Sequence, residues 1–430
     1  MTEQLDGSVP GIAATSYPSD GRLLDELRGQ WPPPPVEDAG RGYARLDLSG
    51  SQLAAALRLS DRFAVALVAE PDGSHQSIPL VRDEIRVTTW RRARPGDGIS
   101  AFVAGVPMAS EVAIEADQTN ASVVVGERAI VKWFRRVGPG PSRAATLIAH
   151  LDAVGFGEMP PPLGSVLWQR ADGPDLTIAQ GDAFLPGARD GWDWCIERLE
   201  RHVGHGAGPC PAGCDPWIGG RLGHLAARLH AALARSSPVV PEPTGQADAG
   251  DVRRWAAAAR ATIEDALALG AAETDSLADL GPVLRRSVGG VDRPAGIAVQ
   301  PVHGDLHVGQ VLEWPGGLAV IDFDGNPALD PGANGLRQPV ERDLAQMLSS
   351  LDHVGRVVAA RHAAPAGPIV DAWIARTRAD FLAALGARPD PALLAAFEVE
   401  QECRELVYSA RFLPRWRYAP VATLRARFRT

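Results

Sequence analysis

The sequence predicts an α+β protein in which the sheets come first and the helices follow. Two observations carry this. Short β-branched and apolar runs, broken by Gly, Pro and Asp turns, recur as far as about residue 186. From Asp193 onward, apolar residues recur at helix spacing instead. A third bounds the size: 430 residues with 45% apolar content can build two or three domains with cores of their own. The pattern divides the chain into 1–105, an N-terminal cap; 106–186, a sheet-rich lobe; and 187–430, a mostly helical lobe. No internal repeat is visible.

Taken in order, residues 1–40 are rich in Gly and Pro apart from a short helical pattern at Leu23–Leu27. W-P-P-P-P at Trp31–Pro35 reads as a stiff connector. F-A-V-A-L-V-A-E (Phe63–Glu70), a P-D-G turn, S-I-P-L-V-R and E-I-R-V-T-T-W make the cap's sheet. A hairpin then turns at Gly126-Glu127, with Lys132 on its second strand. The polar loop Asp117–Ser122 before it has backbone donors to offer a ligand. Ser142 caps a helix reaching about Val154. T-I-A-Q-G-D-A-F-L-P is a further strand, ending at a boundary near Phe184–Arg189. Helices fit Asp193–His202, Gly219–Ala234, Val252–Leu269, Glu341–Leu351, Pro368–Leu385 and Pro391–Leu413.

A formal net charge of −9 gives no footprint for nucleic acid. The first residues have neither a basic nor an apolar region of a signal peptide, and no run of about 18 apolar residues suits a membrane span. The expectation is a cytoplasmic protein, a monomer or weak homodimer, with no nucleic-acid or membrane partner. Four cysteines do not make a disulfide scaffold. His202, His205, Cys210 and Cys214 could ligate zinc, but H-x2-H-x4-C-x3-C is not a usual zinc-finger order. A loop disulfide or two idle thiols fit that spacing better.

Chemistry concentrates in V-H-G-D-L-H-V-G-Q-V-L-E-W-P-G-G-L-A-V-I-D-F-D-G, Val302–Gly325. H-G-D-L-H-V-G-Q is a polar loop, and P-G-G turns a hairpin whose second strand ends on Asp322. The fold of that hairpin brings Asp322 toward Asp305 and Gln310. Two neighbouring carboxylates and an amide suit Mg2+, which takes oxygen ligands and shares them with phosphates. A carboxylate left off the metal can face an incoming hydroxyl. Phosphoryl transfer also needs a cation on the phosphates. Lys132 is the single lysine among 43 basic residues, and a compact ammonium is not replaceable by a guanidinium. His303 reads as a loop-holding histidine, and Asp343 as a helix-start carboxylate that holds the loop.

These motifs resemble the aminoglycoside-phosphotransferase-type kinases, which share a bilobal, protein-kinase-like fold. Q-x-x-H-G-D-L-H-x-x-Q-V-L and I-D-F-D-G are similar to the actinobacterial maltokinase-like branch, most of all to its glucosamine kinases. N-A-S-V-V-V-G-E-R-A-I-V-K-W-F-R-R-V, F-L-P-G-A-R-D-G-W and L-G-H-L-A-A-R-L-H-A-A-L extend the likeness from about Asn120 to the C-terminus. The resemblance implies ATP and Mg2+ as cofactors, Asp305 as catalytic base, and Gln310 and Asp322 on the metal. It implies Lys132 on the phosphates and the 106–186 lobe as nucleotide-binding, with Asn120, Ser122, Asp182 and Phe184 around the nucleotide. One departure stands out: the helix after Lys132 carries no glutamate to pair with it.

The acceptor is read from the C-terminal helix. Glu398, Glu402 and Glu405 fall at i, i+4 and i+7 on one face. Either internal arginines (Arg404, Arg411 or Arg415) offset them, or a substrate ammonium does. Trp416 and Tyr418 offer flat surfaces to a sugar. The resemblance favours D-glucosamine phosphorylated at its 6-hydroxyl, with Gln300, Asp305, Glu398, Glu402 and Trp416 lining the sugar pocket. Maltokinase, aminoglycoside phosphotransferase and an inactive nucleotide or sugar sensor remain open alternatives.

Overall fold

In a computed structural model, the described residues are 14–33, 50–83, 89–114, 120–138, 140–206, 210–271, 277–291, 296–326, 337–362 and 366–428. Of the polar loop Asp117–Ser122, residues 117–119 lie outside them, as do Pro34 and Pro35 of the connector and the first residues of E-I-R-V-T-T-W. The chain divides into two compact units, one of residues 1–152 and 160–186, the other of 153–159 and 187–430.

The first unit holds two sheets. It opens with β1 (Thr15–Pro18) and helix α1 (Gly21–Arg28). β2 (Gln52–Arg58), β3 (Phe63–Ala69), β4 (His75–Arg82) and β5 (Trp90–Arg92) pair in sequence as an antiparallel sheet. After the short helix α2 (Ile99–Val103) come β6 (Glu111–Ile114), β7 (Ala121–Val125), β8 (Ala129–Trp133) and β9 (Arg136–Val137). Helix α3 (Arg143–Ala153), β10 (Pro162–Gln169) and β11 (Leu176–Ala183) complete it. The second sheet runs β1-β10-β11-β8-β7-β6. The two sheets exchange edges: β1 joins the later sheet in parallel with β10, and β9 joins the earlier one on β4. The boundary expected at residue 105 thus runs between two sheets of one compact unit.

β3 is buried on both faces, which explains its unbroken apolar run. Phe63, Val65 and Leu67 pack in a core with Val123, Val131, Trp133 and Ile178 of the other sheet. Ala64, Ala66 and Val68 face Leu23 and Leu27 of α1. Each buried leucine contributes about 1.5–3 kcal/mol by leaving water. Asp20 caps α1 by accepting from the Leu23 N–H at 2.9 Å, and it pairs with Arg58 of β2 at 2.6 Å. The β7–β8 hairpin turns on Gly126 and Glu127, both at positive φ (55° and 52°), the backbone of a type I′ turn.

The second unit is mostly helical. It contains α4 (Gly191–Gly204), α5 (Gly219–Leu233), β12 (Gly245–Gln246), α6 (Ala249–Ala271) and α7 (Gly281–Ser287). Then come β13 (Ala298–Pro301), β14 (Val311–Trp314), β15 (Gly317–Val320) and β16 (Arg337–Gln338). The remaining helices are α8 (Glu341–Arg361), α9 (Gly367–Ala384), α10 (Pro391–Phe412) and α11 (Tyr418–Phe428). α8 is its central helix, buried almost all round and packed by α4, α9, α10 and α11. It runs ten residues past its expected end at Leu351. Gly355 in that extension is a contact: a Cβ there would lie 2.5 Å from Ile374 of α9. α11 was not expected, because P-R-W-R-Y-A-P reads as loop; Pro420 sits in its first turn, where no N–H partner is lost.

α5 meets α9 through glycines. A Cβ on Gly219 would lie 2.0 Å from the Thr377 carbonyl oxygen, and one on Gly223 would lie 2.3 Å from that of Phe381. Both obstacles are backbone, so no rotamer relieves them. Gly220, one position on, has nothing within 4 Å of its would-be Cβ. Gly219→Ala should therefore destabilise by about 1–3 kcal/mol, overpacking outweighing the helix propensity gained. Gly220→Ala should stabilise by up to about 1 kcal/mol. Urea denaturation midpoints of the two variants check this; equal midpoints would refute the close-approach argument.

Candidate active site

The H-G-D loop, residues 302–310, links β13 to β14 and hangs on one face of α8. Asp343, fully buried in the first turn of α8, accepts the N–H of His303 and of Gly304, each at 2.8 Å. It also contacts His230 Nε2 at 3.0 Å. Gln346 accepts the Leu306 N–H through its side-chain oxygen, and Ser350 accepts that of Val308. Residues 343, 346 and 350 fall at i, i+3 and i+7, so one helical stripe satisfies four loop donors. Burial works to raise the Asp343 pKa, but the hydrogen bonds and nearby histidines outweigh it, and the carboxyl lies below its ordinary value.

His303 is a holding group, as its sequence context suggested. Its Nε2–H donates to the Ile321 carbonyl at 2.9 Å, and its Nδ1 accepts the Asp305 N–H at 3.3 Å. Burial keeps it neutral by lowering its pKa, against Asp343 and the Ile321 carbonyl.

Asp305 is thereby fixed in place. Its Oδ1 accepts from the amides of Asn326 at 3.2 Å and Gln346 at 3.0 Å. Its Oδ2 looks toward His307 Nε2 at 3.8 Å, beyond hydrogen-bond range. Burial raises the Asp305 pKa to about 6, with Asp322 and Asp343 adding to the rise and His303 and Arg404 opposing it. His307 Nδ1 accepts the Gly309 N–H, so in the neutral ring the proton sits on Nε2, toward Asp305. Burial lowers the His307 pKa, against the pull of Glu405, Asp322 and Asp190.

α4 closes on this loop. Its N-cap, Asp190, accepts the Trp192 N–H, and burial raises its pKa while His307 opposes the rise. A Cβ on Gly191 would lie 1.6 Å from the Val308 carbonyl oxygen, so only glycine admits the approach. Trp192 and His307 flank Gly309, and Trp416 meets Trp192 edge-on with centroids 6.2 Å apart. Trp416 is well exposed, which leaves a face available for a ring.

The hairpin β14–β15 pairs Val311 with Val320, and the Ile321 N–H donates to the Gln310 carbonyl at 3.0 Å one step further. The segments bearing Gln310 and Asp322 therefore lie side by side. Asp322 has φ +64°, rare for a residue with a Cβ, and is exposed at the strand end. An amide oxygen and an exposed carboxylate on adjacent backbone are hard donors of the kind Mg2+ takes.

In the sheet unit, Lys132 is paired in register with Ser122 on one side and Gln180 on the other. Period-two alternation puts these three on one face with Ile130 and Asp182, and puts Val131 and Trp133 on the core face. Asp182 is raised to about 6 by burial, against a hydrogen bond from Gln180 and the charge of Lys132. α3 carries no glutamate, and the carboxylate that senses the charge of Lys132 in this unit is Asp182 on the neighbouring strand. Asn120 and Ser122 are buried, and the Phe184 N–H donates to the Arg128 carbonyl at the end of the sheet.

Three expected sugar contacts are occupied otherwise. Glu398, 4% exposed, is held by Arg378 and Arg427, which also reach Asp352. Glu402 is fully buried between the Ser349 hydroxyl and His353 Nε2, at 3.0 Å from the latter. These two carboxylates are internal ion-pair partners, and Arg404 is spent on Glu400. The Gln300 amide donates to the His230 carbonyl, and its residue lines a 540 Å³ cavity with Gln246, Glu341 and Asp390. Glu405 is the member of the acidic face left near the loop: burial raises its pKa, with His353 opposing, and both His307 and Asp305 are within its electrostatic reach. Sequence spacing had placed Glu405 on the right face but could not rank the three glutamates. Asp190 lies in the F-L-P-G-A-R-D-G-W motif, which assigns it no role, and Asn326 and Gln346 carried no sequence signal, since they are tied to Asp305 only by the fold.

The sequence is 37% identical to a glucosamine kinase of Streptacidiphilus jiangxiensis over 93% of this chain and 96% of that protein. It is 37% identical to a glucosamine kinase of Mycolicibacterium smegmatis over 89% of this chain and 97% of that protein. The chain belongs to the glucosamine kinase family. A solved glucosamine kinase in complex with glucosamine, ADP and inorganic phosphate matches with a TM-score of 0.73 at 35% identity, over 87% of this chain and 93% of that one. A glucosamine kinase in its crystal form B matches with a TM-score of 0.78 at 35% identity, over 93% of this chain and 98% of that one. No family profile matches the sequence. The fold is therefore that of the glucosamine kinases.

For a family member built this way, the raised pKa of Asp305 has two consequences. The carboxyl must be ionised to take a proton, so kcat/KM should fall on the acid side with an inflection at about pH 6. Its folded pKa lies above its ordinary value, so the stability tied to its neutral form is complete at low pH and is lost as pH rises through about 6. Asp305→Asn keeps an acceptor for Asn326 and Gln346 and removes the charge. At pH 8 the variant should be inactive and up to about 3 kcal/mol more stable. A pH–rate profile and thermal melts at pH 5 and 8 check both; retained turnover would remove Asp305 from the chemistry.

Proposed function

We propose that this protein transfers the γ-phosphoryl group of ATP to the 6-hydroxyl of D-glucosamine. The observation that carries the reading is the acidic surround of Asp305. Asp322 and Glu405 lie within its electrostatic reach, and both act together with Asp190 on the neighbouring His307, which burial holds toward its neutral form. Glucosamine brings an ammonium group that such a surround favours, and a neutral disaccharide does not. The full-length relatives named above support the same substrate.

In this reading Asp305 accepts the proton of the attacking hydroxyl, its Oδ1 locked by two amides so that Oδ2 is the reactive oxygen. His307, with its proton on Nε2, orients that oxygen and the sugar. Glu405 receives the ammonium. Trp416, against Trp192, covers an apolar face of the ring. Lys132, with Asn120, Ser122, Asp182 and Phe184, belongs to the nucleotide. Gln310 and Asp322 would hold Mg2+, which neutralises phosphate charge when bound. Partition of the sheet-rich half into a cap (1–105) and a nucleotide lobe (106–186) belongs to the same reading.

An ADP-release assay over glucosamine, N-acetylglucosamine, glucose, maltose and kanamycin tests the substrate. Turnover should be greatest on glucosamine and should fall sharply when the amine is acetylated. Turnover on maltose without glucosamine would overturn the choice. Glu405→Gln should raise KM for glucosamine by roughly 10- to 100-fold, the worth of a charge-assisted bond of about 1.5–3 kcal/mol, with KM for ATP unchanged. Glu398→Gln should instead lower stability, since it leaves Arg378 and Arg427 buried without their carboxylate.

A further inference from the structure

We propose that His202, Cys210 and Cys214 form a zinc site that clamps the C-terminal end of α4 to the segment leading into α5. The ligating atoms of the three residues lie within 4.8 Å of one another. His202 Nδ1 and Cys210 Sγ are 3.0 Å apart. A tetrahedral zinc with one nitrogen and two sulfur ligands holds such atoms about 3.5–3.8 Å apart, from bonds of ~2.0 and ~2.3 Å. The group needs adjustments of no more than about an ångström to reach that spacing.

The backbone builds this convergence. Cys210 and Cys214 are joined by a tight turn in which the Cys214 N–H donates to the Pro211 carbonyl at 3.1 Å, with Gly213 at φ +86°. That turn brings the two thiols to one side, and both are free. The His202 ring is set by Trp217, which meets it edge-on at 5.3 Å, and Trp217 is in turn covered by the Arg376 guanidinium at 3.9 Å. His202 occupies the last turn of α4, the negative end of the helix dipole, which favours a cation. His205, counted with the other three in the sequence, is the C-cap and falls outside the group.

One imidazole and two thiols select zinc over Mg2+, whose ligands are hard oxygens. Three protein ligands leave the fourth position to water. Binding releases the two thiol protons and ties a helix end to its following loop, which makes the site a staple for the fold. The opposite end of α4 carries Asp190 and Trp192, so the staple steadies a wall of the candidate active site without touching it.

The test uses the full chain, reduced, stripped with a chelator and titrated with Co2+. A single equivalent should bring thiolate-to-cobalt absorption in the near ultraviolet and visible bands of tetrahedral cobalt, both abolished by excess Zn2+. Zinc should also protect two of the four thiols from a thiol reagent and raise Tm. Cys210→Ser with Cys214→Ser should lose the cobalt signal, and His202→Ala should weaken it. Circular dichroism verifies that the variants fold, and the wild-type titration stands without them. A reduced wild-type chain that yields no thiolate–cobalt absorption overturns the site. So does a signal that survives in the double serine variant.

Discussion

The fold of the helical unit turns on one buried carboxylate. Asp343 has no exposed surface, yet it is ionised, because two backbone N–H groups and His230 point at it. Removing an ion from water costs several kcal/mol, and only well-aimed donors recover that. Asp343 therefore forces the H-G-D loop into one conformation: His303 and Gly304 must present their N–H groups to α8. Gly304 meets the requirement at φ +86°, a value a side chain would resist. Once those residues are fixed, Asp305 follows, and its own N–H is taken by His303. The Asp305 carboxyl is thus placed by a second one that is fully buried.

Charge is graded along α10. Glu398, furthest from the loop, is matched by two guanidinium groups. Glu402, one turn on, has His353, whose pKa rises to about 9 because the pull of Glu402, Glu405 and Asp352 exceeds the cost of burial. Glu405, the next along the face, accepts from the neutral amide of Gln401 at 2.8 Å. Compensation thus declines toward the site. A helix with three carboxylates on one face is stable because the first two are neutralised internally.

Much of this was legible in the sequence, and the limit has a physical form. Local rules placed the β7–β8 hairpin, the P-G-G turn and the start of α8, because each depends on neighbours within a few residues. The motif H-G-D-L-H-V-G-Q marked its loop for the same reason. Partner choice was not legible. The i, i+4, i+7 spacing put Glu398, Glu402 and Glu405 on one face, but which of them meets a guanidinium depends on α9 and α11, distant in sequence. The end of α8 was not legible for a related reason: the ten residues past Leu351 include Gly355, which admits the crossing helix α9. Gln300 beside the motif read as a sugar contact, whereas its amide is taken by the His230 carbonyl.

The lone lysine follows from the same reasoning about charge. Arginine serves the buried pairs of Glu398 and Glu400, because its planar fork satisfies two acceptors at once and stays charged when desolvated. Lys132 stands between Ser122 and Gln180 on a sheet face where Asp182 is itself partly neutral by burial. A fork would seek bidentate pairing with that carboxylate and be held there. An ammonium is compact and rotates its donors, so it can moderate Asp182 and still be drawn to a stronger anion. Burial raises the Asp182 pKa to about 6, and the charge of Lys132 opposes that rise. Under the proposed function this compactness suits a cation that meets phosphates, a task for which a planar guanidinium is no equivalent.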